Sequence, residues 1–210
     1  GENCIAVAPG ANYSLLPGSI IHFSKVIDEA DIIVMQAEIP YETIKRIALL
    51  AKQKGKKVLF NPAPACLIDE ELMKAIDILV VNELEAAFIS GIEYTGNNLE
   101  EIALSLLQAG ARNAVITLGS QGVYMKNDKG IIQLPGYKVN AIDTIAAGDT
   151  FCGALAVICA QREIDRDALS FANAAAAIAV TRSGAQPSIP TLDEVKHFML
   201  EKELALSFNF

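Results

Sequence analysis

A chain of 210 residues with 52% hydrophobic content is long enough to bury one sizeable core and short for two. Its formal charge of −8 and pI near 4.8 offer no counter-charge to nucleic acid or an anionic membrane surface, so neither is expected as a partner and any phosphate must be held by local dipoles. Cys4, Cys66, Cys152 and Cys159 fall at no metal-ligand spacing and read as reduced thiols, and with no membrane-length apolar run or basic-then-apolar leader the expected location is cytoplasmic.

The chain opens Gly-Glu-Asn-Cys without Met and enters a predicted strand at once, residues 4–8, which ends at Pro9-Gly10 before the loop Ala11-Asn12. That opening reads as a piece of a longer protein. Residues 19–30 place Ile20, Phe23, Val26 and Ile27 at helical spacing and predict a helix. Residues 31–36 then form a continuous apolar strand, the pattern of a parallel sheet covered on both faces. It delivers Gln36, Ala37 and Glu38 to its C-terminal end, where open α/β sheets place ligands. Glu38 is suited to accept from a hydroxyl, although an acid after a strand also serves as a solvated charge.

Pro40 opens a helix where its missing N–H costs nothing, and the helix runs through Ile44, Ile47, Ala48, Leu50 and Ala51 to a stop at Gly55. Residues 56–60 are the next strand, ending in the turn Asn61-Pro62-Ala63-Pro64. Residues 77–81 form another buried strand, followed directly by Asn82-Glu83-Leu84-Glu85. Asn82 and Glu85, three apart at a helix start, point in similar directions and could approach a metal-bound phosphate together. The same spacing fits a capping arrangement that needs no ligand. Residues 98–109 predict an amphipathic helix ended by Gly110, leading into a strand over residues 113–117. Thr117, Leu118, Gly119, Ser120, Gln121 and Gly122 then set two glycines at a strand end, which allows backbone to come close to a phosphate or an adenine. This is neither a Walker A loop nor a dinucleotide fingerprint. It also fits a plain hairpin, because residues 123–126 and 130–134 read as paired strands about Asn127-Asp128.

Residues 143–153, Asp-Thr-Ile-Ala-Ala-Gly-Asp-Thr-Phe-Cys-Gly, carry the densest chemistry. Small side chains leave backbone N–H groups bare where an apolar helical run, residues 151–160, begins, and a helix start favours an anion. Asp149 inside that cradle would repel a phosphate unless it had a task, such as taking a proton from an attacking hydroxyl. The alternative is that Asp143 caps a helix and Asp149 is a solvated first-turn acid. A helix over residues 167–180 follows, whose run Asn173-Ala-Ala-Ala-Ala permits close approach of another helix or a ligand. A polar loop occupies residues 181–188.

The segment from Asp143 to Phe151 resembles the ribokinase family of carbohydrate kinases, whose general pattern is Asp-Thr-x-Gly-Ala-Gly-Asp. Ala146 replaces the first Gly of that pattern here, as in the ribokinase branch. The resemblance extends over essentially all 210 residues. It implies one α/β domain over residues 1–210, a mainly parallel sheet with helices on both faces, which the alternation of strands and helices also favours. It implies ATP-dependent phosphorylation of a sugar, most directly the 5-hydroxyl of ribose. Asp149 would be the base and contact substrate, while the backbone of Ala146, Ala147 and Gly148 forms an anion hole. Glu38 would hold a sugar hydroxyl, and Asn82 with Glu85 would organise Mg2+ and phosphate, Glu85 acting through water. The 117–122 segment, Gly148 and Asn173 would line the nucleotide. A K+ ion would be held by the Asp143 carboxylate, the carbonyls of Ile145, Ala179, Arg182 and Gly184, and Ser188. Such kinases usually carry about a hundred further residues upstream, with first strands, a lid sheet and a sugar-binding segment, and the full-length form is expected to be a homodimer. Another carbohydrate or nucleoside kinase of the family, or a non-catalytic nucleotide-binding module, are the alternatives.

Overall fold

A computed structural model of the protein describes residues 8–202. The strand expected over residues 4–8 therefore lies outside the described residues, apart from Ala8. Among the described residues six strands form one sheet in sequential order: β1 Ile32–Gln36, β2 Lys57–Asn61, β3 Ile78–Asn82, β4 Asn113–Thr117, β5 Val123–Asn127 and β6 Gly130–Leu134. The pairings from β1 to β4 are parallel, and β4–β5 and β5–β6 are antiparallel. Eight α-helices accompany them among the described residues: α1 Ser24–Glu29, α2 Tyr41–Gln53, α3 Glu70–Ala75, α4 Glu83–Ser90, α5 Leu99–Gln108, α6 Ala147–Gln161, α7 Arg166–Ala179 and α8 Leu192–Glu201.

The apolar strands read as uninterrupted runs because both faces of the sheet are covered. Leu59, Val80, Val115 and Met125 point to one face, where Phe151 and Leu155 of α6 and Leu169 and Ala172 of α7 pack against them. Their neighbours Val58, Phe60, Leu79, Val81 and Ile116 point to the other, against Ile44 and Ala48 of α2, Leu72 of α3 and Ile102 and Leu106 of α5. Side chains of the size of Phe60 and Leu79, fully buried, contribute about 1.5–3 kcal/mol each. The α/β class with helices on both faces is thus the observed architecture.

Several boundaries differ from the sequence reading. The helix expected over residues 19–30 is a 3-10 helix, Pro17–Phe23, passing into the short α1. Only Ile20 and Ile27 of its apolar set are buried, while Ile21, Phe23 and Val26 face outward, so no apolar stripe is covered along its length to hold a continuous α-helix. Pro40 is the N-cap of α2 rather than its first residue. Two helices escaped the sequence reading although each carries a start signal: the Asp69 carboxylate accepts from Leu72 N at the head of α3, and Thr191 with Glu194 forms a capping box on α8. Among the described residues no strand pairs with the outer edge of β1, where Val34 is 45% exposed. No helix of the described residues is long and apolar enough to cross a membrane.

Candidate active site

The four parallel strands end in polar residues at one edge of the sheet: Gln36, Asn61, Asn82 and Thr117. Register places Gln36 beside Asn61 and Asn82 beside Thr117. The row is braced from below, since Asn61 Nδ2 donates to Val80 O at 2.8 Å and Thr117 Oγ1 to Val81 O at 3.3 Å. A C-terminal sheet edge of this kind is where parallel α/β folds gather their ligands.

Helix α6 starts at this edge. It begins at Ala147, four residues before the expected apolar run, so residues 147–149 are its first turn. Its N-cap, Ala146, has φ 59° and ψ 11°, the only non-glycine residue with positive φ among those described. The left-handed conformation costs an alanine about 1–2 kcal/mol, and strain of this sort collects where function over-determines the backbone. Ala147 N donates to Thr144 O at a long 3.3 Å, and Thr150 closes the first turn by donating both N–H and Oγ1 to Ala146 O. The N–H groups of a helix's first turn have no carbonyl within the helix to pair with, and they point outward with the positive end of the helix dipole.

Asp149 is exposed on that turn. Its Oδ1 accepts a 2.6 Å hydrogen bond from Gln36 Nε2, which spans 113 residues of sequence to join β1 to α6. From the sequence, Gln36 has no role beyond its place at a strand end. Gln36 and Glu38 also line a groove of about 480 Å3 together with Asn12 and the apolar Leu15, Ile20, Phe23 and Val34. The Asn12 loop and the Glu38 turn, 26 positions apart, therefore face the same space.

Asn82 and Glu85 form both hydrogen bonds of a capping box on α4: Glu85 N donates to Asn82 Oδ1 and Asn82 N to Glu85 Oε2, each at 2.8 Å. The capping alternative is realised, and it fixes both side chains at the sheet edge. Burial pushes the Glu85 carboxyl up from its ordinary value, against the hydrogen bond from Asn82 N that lowers it. The Cys152 thiol of α6 is pushed up to about 12, first by burial and then by the negative charges of Asp149 and Glu85.

The 117–122 segment turns through a short 3-10 helix, Gly119–Gln121. Gly122, at φ +100°, packs so tightly on residues 134–136 that a Cβ would lie 2.1 Å from Leu134 O, and a Cβ on Gly136 would lie 2.1 Å from Ser120 O. The close backbone approach at Gly122 is thus to the chain itself, whereas Gly119, at φ +53°, faces open space. Asn173 is buried, and its Nδ2 donates to Pro135 O at 3.0 Å, tying α7 to the same 134–136 segment.

Asp143 does not cap α6. Its Oδ1 accepts from Ile145 N and its Oδ2 from Gly184 N, both at 3.0 Å, and these backbone bonds hold the carboxyl below its ordinary range. Ile142 N and Asp143 N both donate to Val180 O. The segment preceding α6 and the 181–188 loop, separate in the sequence, are therefore stitched together. Arg182 anchors that loop to α8 through Glu194, whose carboxyl is lowered to about 2 chiefly by this pairing. Ser188 is fully buried and its Oγ donates to Ala185 O, while Ala179 O accepts from Arg182 N. Among the described residues no three His, Cys, Asp or Glu side chains cluster as metal ligands.

With this geometry in hand, comparison with known proteins is specific. The family model described as pfkB family carbohydrate kinase matches residues 1–192. Ribokinase of Staphylococcus aureus is 41% identical over 197 residues, covering 93% of this chain and 65% of that protein. The chain thus spans about two thirds of that relative's length. The crystal structure of ribokinase from Thermotoga maritima superposes with a TM-score of 0.84 at 40% identity, over 95% of this chain and 66% of that one. Arabidopsis thaliana ribokinase complexed with ribose and ATP superposes with a TM-score of 0.88 at 28% identity, over 100% of this chain and 66% of that one.

Proposed function

The chain belongs to the pfkB family of carbohydrate kinases, and we propose that it carries the phosphoryl-transfer site of an ATP-dependent sugar kinase acting on the 5-hydroxyl of ribose. The observation that carries this reading is Asp149, an exposed carboxylate on the first turn of α6, held at the C-terminal edge of the sheet beside the N–H groups of that turn, of which Ala147 N makes only a long 3.3 Å bond to Thr144 O. A base and an anion-binding helix start in one turn are what transfer to a hydroxyl requires. Asp149 takes the proton of the attacking hydroxyl. The backbone at Ala146, Ala147 and Gly148 receives the γ-phosphate and stabilises charge as it develops.

Glu38 binds a sugar hydroxyl in the groove it shares with Gln36 and Asn12. The 117–122 segment, Gly148 and Asn173 line the nucleotide. Asn82 and Glu85, fixed by their mutual hydrogen bonds, would hold the phosphate end together with Mg2+, Glu85 acting through water, and the ion would neutralise charge on the outer phosphates. The oxygen donors of the stitched loops suit a hard monovalent cation: Asp143, Ser188 and the carbonyls of Ile145, Ala179, Arg182 and Gly184 would hold K+, which would steady the Ala146 backbone. A cytoplasmic setting and a homodimeric assembly complete the proposal. The relatives' names and the ribose and ATP of the Arabidopsis complex support the choice of sugar and nucleotide.

The test is ADP formation from ATP and Mg2+, with and without ribose, at matched Na+ and K+. Ribose- and K+-dependent turnover lost in Asp149→Asn is expected. Nucleotide binding by calorimetry without turnover would instead favour a non-catalytic nucleotide module. Absence of both binding and turnover would refute the site altogether.

A further inference from the structure

We infer that Gln36 is a positioning residue for the Asp149 base, an inference that rests on the kinase reading above. Gln36 is the last residue of β1 and Asp149 the third of α6, so nothing local in the sequence brings them together. The 2.6 Å contact from Nε2 to Oδ1 is a short bond from an amide to a carboxylate, the charge-assisted class. A carboxylate on the first turn of a helix can turn about two torsions in solvent. Tethering Oδ1 fixes both, and it leaves Oδ2 as the oxygen that accepts the proton.

The tether is itself rigid. Gln36 is held in the ladder opposite Asn61, and Asn61 is locked to Val80 O of β3. The base is thereby referenced to the sheet, as Glu38 two residues further along is also, so the proton acceptor and the groove beside it keep one geometry. Misplacement of a reacting group by about 1 Å costs about 100-fold in rate.

The test compares the full chain with Gln36→Met, which keeps length and removes the donor, and Gln36→Glu, which sets an acceptor against the carboxylate. Both are expected to lower kcat with sugar by about 10- to 100-fold, while the KM for ATP and the melting temperature stay at the wild-type values. Unchanged kcat in both variants overturns the inference. A fall in kcat that comes with a weakened KM for ATP and a lowered melting temperature also overturns it, by showing a structural role. An NMR measurement judges the contact without turnover: the Gln36 side-chain amide, assigned by its absence in Gln36→Met, is expected downfield and to return in Asp149→Ala. An amide signal indifferent to Asp149→Ala overturns the contact. A present amide shift with no sugar phosphorylated by the wild type supports the contact and overturns the kinase reading instead.

Discussion

Removing the Asn82 side chain separates two jobs that the same atoms perform. In Asn82→Ala the Glu85 N–H loses its 2.8 Å acceptor at the head of α4, and the reciprocal bond from Asn82 N to Glu85 Oε2 loses its partner's restraint. Loss of an N-cap acceptor costs about 1 kcal/mol, and because Asn82 is exposed, water replaces part of it. For a chain of this length that is a fall in melting temperature of about 2–4 °C. Serine caps as well as asparagine, so Asn82→Ser is expected to stay within about 0.5 kcal/mol of wild type, yet it withdraws the amide from the phosphate side of the site. Melting and ADP release measured on the same preparations should show both variants losing phosphoryl transfer while only Asn82→Ala loses stability. Full turnover in Asn82→Ser would refute the phosphate role, and equal destabilisation in both would refute the capping argument. Glu85 adds a pH signature. Burial raises its folded-state value above the unfolded one, so the native state binds the proton more tightly and stability falls as pH rises from the unfolded value through the folded one. Glu85→Gln lacks that slope, and its urea midpoint should gain on wild type as pH rises above the unfolded carboxyl value of about 4.3, levelling once the folded carboxyl is ionised.

Three further outcomes follow from single residues. Ala146→Gly removes the left-handed strain of about 1–2 kcal/mol but adds unfolded-state freedom of about 0.5–1 kcal/mol, so chemical denaturation should show a gain of no more than about 1.5 kcal/mol, whereas Ala146→Val should lose about 1–3 kcal/mol. Burial pushes Cys152 and Cys159 up to about 12; peptide mapping after brief native alkylation should find Cys66, which is only partly buried, modified well before either. Tyr124 is 5% exposed and its hydroxyl has no hydrogen-bond partner among the described residues, so Tyr124→Phe should be neutral or stabilise by up to about 1 kcal/mol in urea denaturation, and a clear loss would reveal a partner.

Much of the fold was legible because it is locally encoded. Strands buried on both faces have to be continuous apolar runs, so β1 to β4 stand out as such, and α2 and α5 announce themselves by apolar spacing and a terminal glycine, α7 by its small-residue run. The short α3 was missed because fewer than two turns offer little periodicity, leaving only Asp69 as its signal, and α8, as long as α5, was missed although the Thr191–Glu194 box marks its start. The resemblance of residues 143–151 to carbohydrate kinases was likewise a matter of adjacent residues, and the family match agrees with it. What the sequence could not contain is the set of contacts that cross it. That Gln36 meets Asp149, that Asp143 meets Gly184 N, and that Gly122 makes room for residues 134–136 rather than for an open pocket are settled by where parallel strands end and where helices start above them. Short-range sequence specifies a residue's backbone state and which face it buries. The neighbour of a polar side chain at a strand end is chosen by the register of strands far apart in the chain, and only the assembled sheet sets that register.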